Sequence, residues 1–182
     1  MNCPSCGAPL SLEGDRESLI CDYCKSLYLP EQDDEGVRLL GQAEGVSCPV
    51  CAVPLMHATL GRQRIRTCPH CRGMLIPMGN FLALIEELKA GHTGHGVPHA
   101  PGSKEFERRI ECPQCHRHMD THYYGGPGNV VIDDCSRCFL NWLDHGELMR
   151  IVEAPDRTYG EEYGDDGAGY REVERARHGP GL

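Results

Sequence analysis

The residues most able to do chemistry in this chain are twelve cysteines, and all of them fall into six C-x-x-C pairs: Cys3/Cys6, Cys21/Cys24, Cys48/Cys51, Cys68/Cys71, Cys112/Cys115 and Cys135/Cys138. A C-x-x-C turn sets two thiolates on one side of a tight loop. Two such loops at the ends of a hairpin close a tetrahedron around one metal ion, with sulfur at about 2.3 Å. Taken in order, the pairs make three four-sulfur groups. Four thiolates fill the coordination sphere and leave no position for water or substrate, so the spacing predicts structural rather than catalytic centres, with zinc as the expected ion in all three.

An all-sulfur tetrahedron also suits iron, so a rubredoxin-like electron-transfer centre is the alternative metal chemistry. A thioredoxin-type redox pair needs one C-x-x-C at a helix N-terminus within a βαβ pattern, and six pairs around hairpins do not supply that. No nucleophile–base pair and no phosphate-cradling loop can be argued from spacing, and the expected protein is not an enzyme. It has no small-molecule substrate on this reading.

The elements that must position the thiols repeat with them. Set side by side, the units run CPSCGAPL to CDYCKSLYLP, CPVCAVPL to CPHCRGMLIP, and CPQCHRHM to CSRCFLNWLD, an internal threefold repeat. Between paired knuckles lies room for one hairpin. LMHATL (Leu55–Leu60) and RIRT (Arg64–Thr67) are strand-like around Gly61, and MDTHYY and VVID flank the turn GGPGN. Phe81, Leu84, Ile85 and Leu88 have the spacing of one helix face, and Asp144 three residues before Glu147 reads as a capping-box start for a shorter helix.

These signals divide the chain into a four-cysteine unit at 1–30, an acidic linker at 31–47 with a weak helical centre, and a second unit plus helix at 48–90. A Gly/Pro/His linker at 91–111, a third unit plus short helix at 112–152 and an acidic, disordered tail at 153–182 follow. The expected fold class is small β, metal-stabilised, with short C-terminal helices. Units this small cannot bury enough apolar surface alone, so bound metal must supply much of the folding free energy, on the order of 10 kcal/mol per site. With no signal peptide at the N-terminus and no apolar run of about 18 residues, a cytoplasmic, thiol-preserving location without membrane contact is expected.

Ten histidines raise the question of further metal sites. His92, His95 and His99 stand in a Gly/Pro segment with no fixed geometry, and His116, His118 and His122 lie in a unit whose cysteines already close its site. Charge distinguishes the units more sharply. The chain carries −9 overall, yet residues 46–91 hold five bases against two acids. Arg62, Arg64 and Arg66 recur at period two, which would place them on one strand face as a contact for phosphate or an acidic protein; the same arginines could simply balance the −2 of a four-thiolate zinc site.

The third unit resembles the zinc-ribbon family named after transcription factor IIB. The resemblance rests on Cys112, Pro113, Cys115, Cys135, Cys138, Trp142, Leu143, Asp144, Gly146, Glu147 and Leu148, and in the second unit on Cys48, Pro49, Cys51, Cys68, Cys71, Gly73 and Gly79. Two departures stand out: Leu75 and Pro77 replace the Trp and Asp of the third unit, and Phe139-Leu140 replaces glycines. The resemblance implies three tandem zinc ribbons and three zinc ions, in an adaptor that docks on a larger assembly. RNA polymerase or ribosomal components are the partners it implies, in a transcription setting first. Direct nucleic-acid binding through Arg62, Arg64 and Arg66 is the second functional class. Trp142 is expected to lid its own ribbon, with a partner anchor as the other role.

Overall fold

The structure is a computed structural model that describes residues 1–12, 18–92, 103–126 and 128–155. Its strands are β1 (Leu10–Leu12), β2 (Leu19–Cys21), β3 (Leu27–Tyr28), β4 (Val37–Ser47), β5 (Pro54–Leu60), β6 (Gln63–Thr67), β7 (Met74–Pro77), β8 (Asp120–Tyr123), β9 (Val131–Cys135) and β10 (Leu140–Leu143). The helices are α1 (Met78–Ala90), α2 (Ser103–Glu107) and α3 (Glu147–Glu153). None of the described helices is long and apolar enough to cross a membrane. Residues 156–182, most of the predicted tail, lie outside the described residues.

Ribbon one is a small sheet of its own, ordered β1-β2-β3. Ribbons two and three share one seven-stranded sheet in the order β4-β5-β6-β7-β10-β9-β8. The join is the antiparallel pairing of β7 with β10, each the strand that follows its ribbon's second knuckle, with Leu75 directly opposite Trp142. Leu75 stands four residues after Cys71, and Trp142 four after Cys138. The two ribbons therefore meet about a local two-fold that passes through this residue pair.

Side-chain alternation gives the sheet two different faces. Ala58, Leu60, Ile65, Met74, Ile76, Ile132 and Leu143 point to one, where α1 supplies Phe81, Leu84 and Ile85 and α3 supplies Leu148, Ile151 and Val152. The opposite face buries Leu55, Leu75, Leu140 and Trp142 among the eight cysteines of ribbons two and three, with Ala43, Ile110 and Met119. The hairpin turn Gly61-Arg62 needs its glycine twice over: Gly61 sits at φ +55, and an added Cβ would lie 2.8 Å from the Glu87 carboxylate.

The segment read as an acidic linker is instead β4, eleven residues long and paired with β5. Its buried residues, Val37, Leu40 and Ala43, recur every three positions, which imitates a helix face in the sequence. The ladder explains the spacing: register shifts at Leu39/Gly41 and again at Gln42/Ser47, with Gly41 and Gly45 at positive φ, are bulges that reset which face each residue meets. The Gly/Pro/His linker differs too, since it contains α2 and then Ile110, whose carbonyl accepts the Met119 N–H at 3.0 Å.

Trp142 lids the join between the ribbons. It is completely buried, and its ring occupies the space a side chain would need at residue 73, where an added Cβ would lie 2.3 Å from the ring. A partner-anchor role for Trp142 is therefore corrected: the indole is spent inside the molecule, and its Nε1–H donates to Asp144 Oδ1 at 3.1 Å. Truncating Trp142 to alanine should cost about 3–5 kcal/mol of stability, and Gly73→Ala about 1–3 kcal/mol by overpacking. In chemical unfolding the two changes should be markedly non-additive, with Gly73→Ala nearly harmless once the ring is gone; simple additivity would place the ring elsewhere.

Candidate metal centres

Each C-x-x-C folds as the same knuckle. The residue after the second cysteine takes a positive φ in all six: Gly7 (77°), Lys25 (59°), Ala52 (59°), Arg72 (59°), His116 (56°) and Phe139 (54°). In five of them its N–H donates to the carbonyl of the first cysteine, as from Gly7 to Cys3 at 2.8 Å and from Arg72 to Cys68 at 2.9 Å. The first cysteine's own N–H closes the loop on the far side, for example from Cys48 to the Val53 carbonyl at 2.7 Å. Only one of the six residues is glycine, and the left-handed conformation costs each of the others about 1 kcal/mol or more. The knuckles hold that conformation because the turn aims both sulfurs inward.

The sulfurs converge as the spacing predicts. Within each group of four, all Sγ atoms lie within 4.8 Å of one another. Cys3–Cys24, Cys6–Cys21, Cys48–Cys51, Cys48–Cys71, Cys51–Cys68 and Cys115–Cys135 are separated by 3.4 to 3.7 Å. A tetrahedron with bonds of about 2.3 Å has edges of about 3.8 Å, whereas a disulfide would need about 2.05 Å. The geometry fits an enclosed ion. Backbone N–H groups of Val50 and Cys51 point at Cys48 Sγ, and those of His70 and Cys71 at Cys68 Sγ, each at 3.4 Å, a set of donors that favours thiolate.

Thiol acidities differ within a group. Cys24 is lowered to about 6, chiefly by the Ser26 hydroxyl, and Cys115 to about 7, chiefly by the Arg117 N–H. Burial raises Cys68, but the N–H groups of Cys71 and His70 outweigh it and bring the thiol to about 7. Burial pushes Cys48 up to about 11 and Cys138 up to about 12. Four mutually close thiols cannot all ionise without a cation between them, and a bound ion supplies that compensation. In ribbon one Cys6 and Cys24 are exposed, while every cysteine of ribbons two and three is buried or half-buried.

The other candidate residues separate. Arg62 leaves the predicted strand face: β6 begins at Gln63, and Arg62 sits in the turn with its Nε 3.3 Å from Glu87 Oε1. Arg64 and Arg66 share a face with Thr59 and His57, their respective partners across the β5–β6 ladder. Arg38, which sequence reasoning passed over, joins that face opposite Thr59. His116 and His118 are exposed, His122 pairs with Asp134 at 2.7 Å, and His92 lies 3.3 Å from the Leu88 carbonyl. His95 and His99 lie outside the described residues.

A polar cluster beside the join was also invisible in the sequence. Arg108 bridges Asp133 and Asp144, and Thr121 Oγ1 donates to Asp133 Oδ1 at 2.5 Å. The capping-box reading of Asp144 is half right. The Glu147 carboxylate accepts the Asp144 N–H at 2.7 Å, but the N-cap of α3 is Gly146, at φ 82, and the Asp144 side chain serves Trp142 and Arg108 instead. Burial raises the Glu147 carboxyl to about 7; the Asp144 charge adds to this, while the Asp144 N–H, Arg150 and Arg108 oppose it.

Residues 47–87 and 111–154 each match the transcription factor zinc-finger family of TFIIB-type zinc ribbons. Among curated proteins and solved structures, nothing matches the chain. The matched segments are ribbons two and three, the halves of the shared sheet.

Two outcomes follow from the geometry. A chelator titration of the metal-loaded chain should release the ion of exposed ribbon one first and those of ribbons two and three later, in one transition that also exposes Trp142; release in three independent steps would contradict the shared sheet. Because the Glu147 carboxyl is raised, its folded state holds a proton that the unfolded state has lost. Its contribution to stability is complete below about pH 4.5 and fades as pH rises through about 7. Glu147→Gln should remove that decline, leaving the variant up to about 3 kcal/mol more stable than the parent at pH 8 and little different at pH 5.

Proposed function

We propose that this chain is a non-enzymatic zinc-binding adaptor that docks on a larger macromolecular assembly connected with transcription. The observation that carries this is the closure of each metal site by four thiolates, which leaves the ion no open position for substrate. The family matched by ribbons two and three, described by its transcription-factor zinc finger, supports the setting.

Within this reading the metals hold shape and the surface does the work. With Trp142 buried, the apolar contacts available to a partner are elsewhere: Tyr23 on a ribbon-one knuckle is 82% exposed, with Leu27 and Leu29 also exposed on the following strand and its exit. Exposed large apolar side chains grouped on a small unit are the kind of surface that partner binding covers. The rigid pair of ribbons two and three presents a second, differently charged surface.

Gentle-salt affinity purification from the native cell with the tagged full chain should recover RNA polymerase or, in a translation setting, ribosomal components. Tyr23→Ala with Leu29→Ser should abolish that recovery without changing zinc content. Recovery of neither assembly would count against the reading. Metal analysis decides the chemistry separately: a colourless protein with zinc at three per chain is expected, and a red, iron-loaded protein would favour electron transfer.

A further inference from the structure

The sheet register assembles a basic surface that the sequence pattern only partly indicated. On the face away from α1 and α3, Arg38 on β4, Thr59 on β5 and Arg64 on β6 form one cross-strand row; Gly41, His57 and Arg66 form the next. The row after that is Leu55 with the ribbon-two cysteines, already in the core. Three arginines and a histidine thus share one patch, and no carboxylate occupies any of these face positions. Burial lowers the His57 pKa, and the charges of Arg66 and Arg64 oppose its protonation further.

Two polar atoms beneath the patch have no hydrogen-bond partner. Thr59 Oγ1 is buried in a residue only 2% exposed, and Arg66 Nε is buried likewise. Buried donors and acceptors are normally satisfied, so these two atoms mark an incompletely satisfied polar layer beneath the guanidinium groups. Arg38 gives one guanidinium nitrogen to the Pro30 carbonyl at 2.6 Å, which fixes it over the patch. None of the exposed large apolar residues stands among these face positions.

We propose that this face binds the phosphodiester backbone of a nucleic-acid duplex, without reading its sequence. Guanidinium forks match phosphate oxygens, and three of them on rigid strands suit a repeated anionic backbone. A docking protein of acidic character would be expected to bring an apolar anchor to a complementary site, and this patch offers none. A single strand would need aromatic platforms for its bases, which are also missing here. The inference is independent of the assembly in which the chain works: duplex binding can fail while the docking reading stands, and the reverse.

Fluorescence anisotropy with the zinc-loaded full chain and labelled duplex DNA and duplex RNA, with salt added stepwise, tests it. Three phosphate contacts predict a log–log salt slope of about −3, close to −0.9 for each. Arg64→Gln with Arg66→Gln should reduce the slope to about −1 and weaken low-salt binding at least tenfold. Arg62→Gln, whose guanidinium is engaged by Glu87, should change neither. Zinc content and Trp142 emission report that each variant is folded. Failure of both duplexes to bind at low salt would overturn the proposal. So would a slope untouched by the double substitution, or tighter binding of a polyglutamate peptide than of either duplex.

Discussion

Each ribbon depends on four sulfur atoms being held within 4.8 Å of one another in a chain that has little else to hold them there. Four thiolates at that range repel strongly. The left-handed residue after each pair and the N–H groups aimed at the sulfurs are worthwhile only if a cation sits among them. Metal binding and folding are one event in such units. That coupling explains how hairpins with strands of two to seven residues can be stable at all.

The second organising contact is the β7–β10 pairing, which turns two marginal hairpins into one sheet with a helix from each half on the same face. Trp142 seals the other face. Its indole reaches Asp144, and Asp144 reaches Arg108, so the join is backed by a polar chain that ends on buried Asp133. Metal sites two and three are thereby mechanically linked through strands that begin immediately beyond their knuckles.

What was legible in the sequence was local. Cysteine pairs announce themselves because a metal knuckle forces a two-residue gap, and the hairpins follow because only that length fits between knuckles. The match of ribbons two and three to a zinc-ribbon family agrees with that part of the reading. β4 was illegible because its bulges convert an alternating strand into a three-residue period. Arg108 was illegible because its partners lie 25 and 36 residues away, and only the pairing of β9 and β10 brings them together. Arg62 was misplaced by one position at the end of a strand, enough to send it to Glu87 instead of the basic face.

The local two-fold has a further consequence at the positions where one of the two ribbons departs from the family pattern. At equivalent positions ribbon two carries Gly73 and Leu75, and ribbon three carries Leu140 and Trp142. The large ring meets the missing side chain, and the smaller Leu75 shares its cluster with the larger Leu140. Two copies of ribbon three would press two indoles against two leucines, while two copies of ribbon two would leave two gaps. The halves are matched like a key and its own lock on a single chain. Like halves therefore make a poorer join than unlike ones, and the match is specific to one ribbon of each kind.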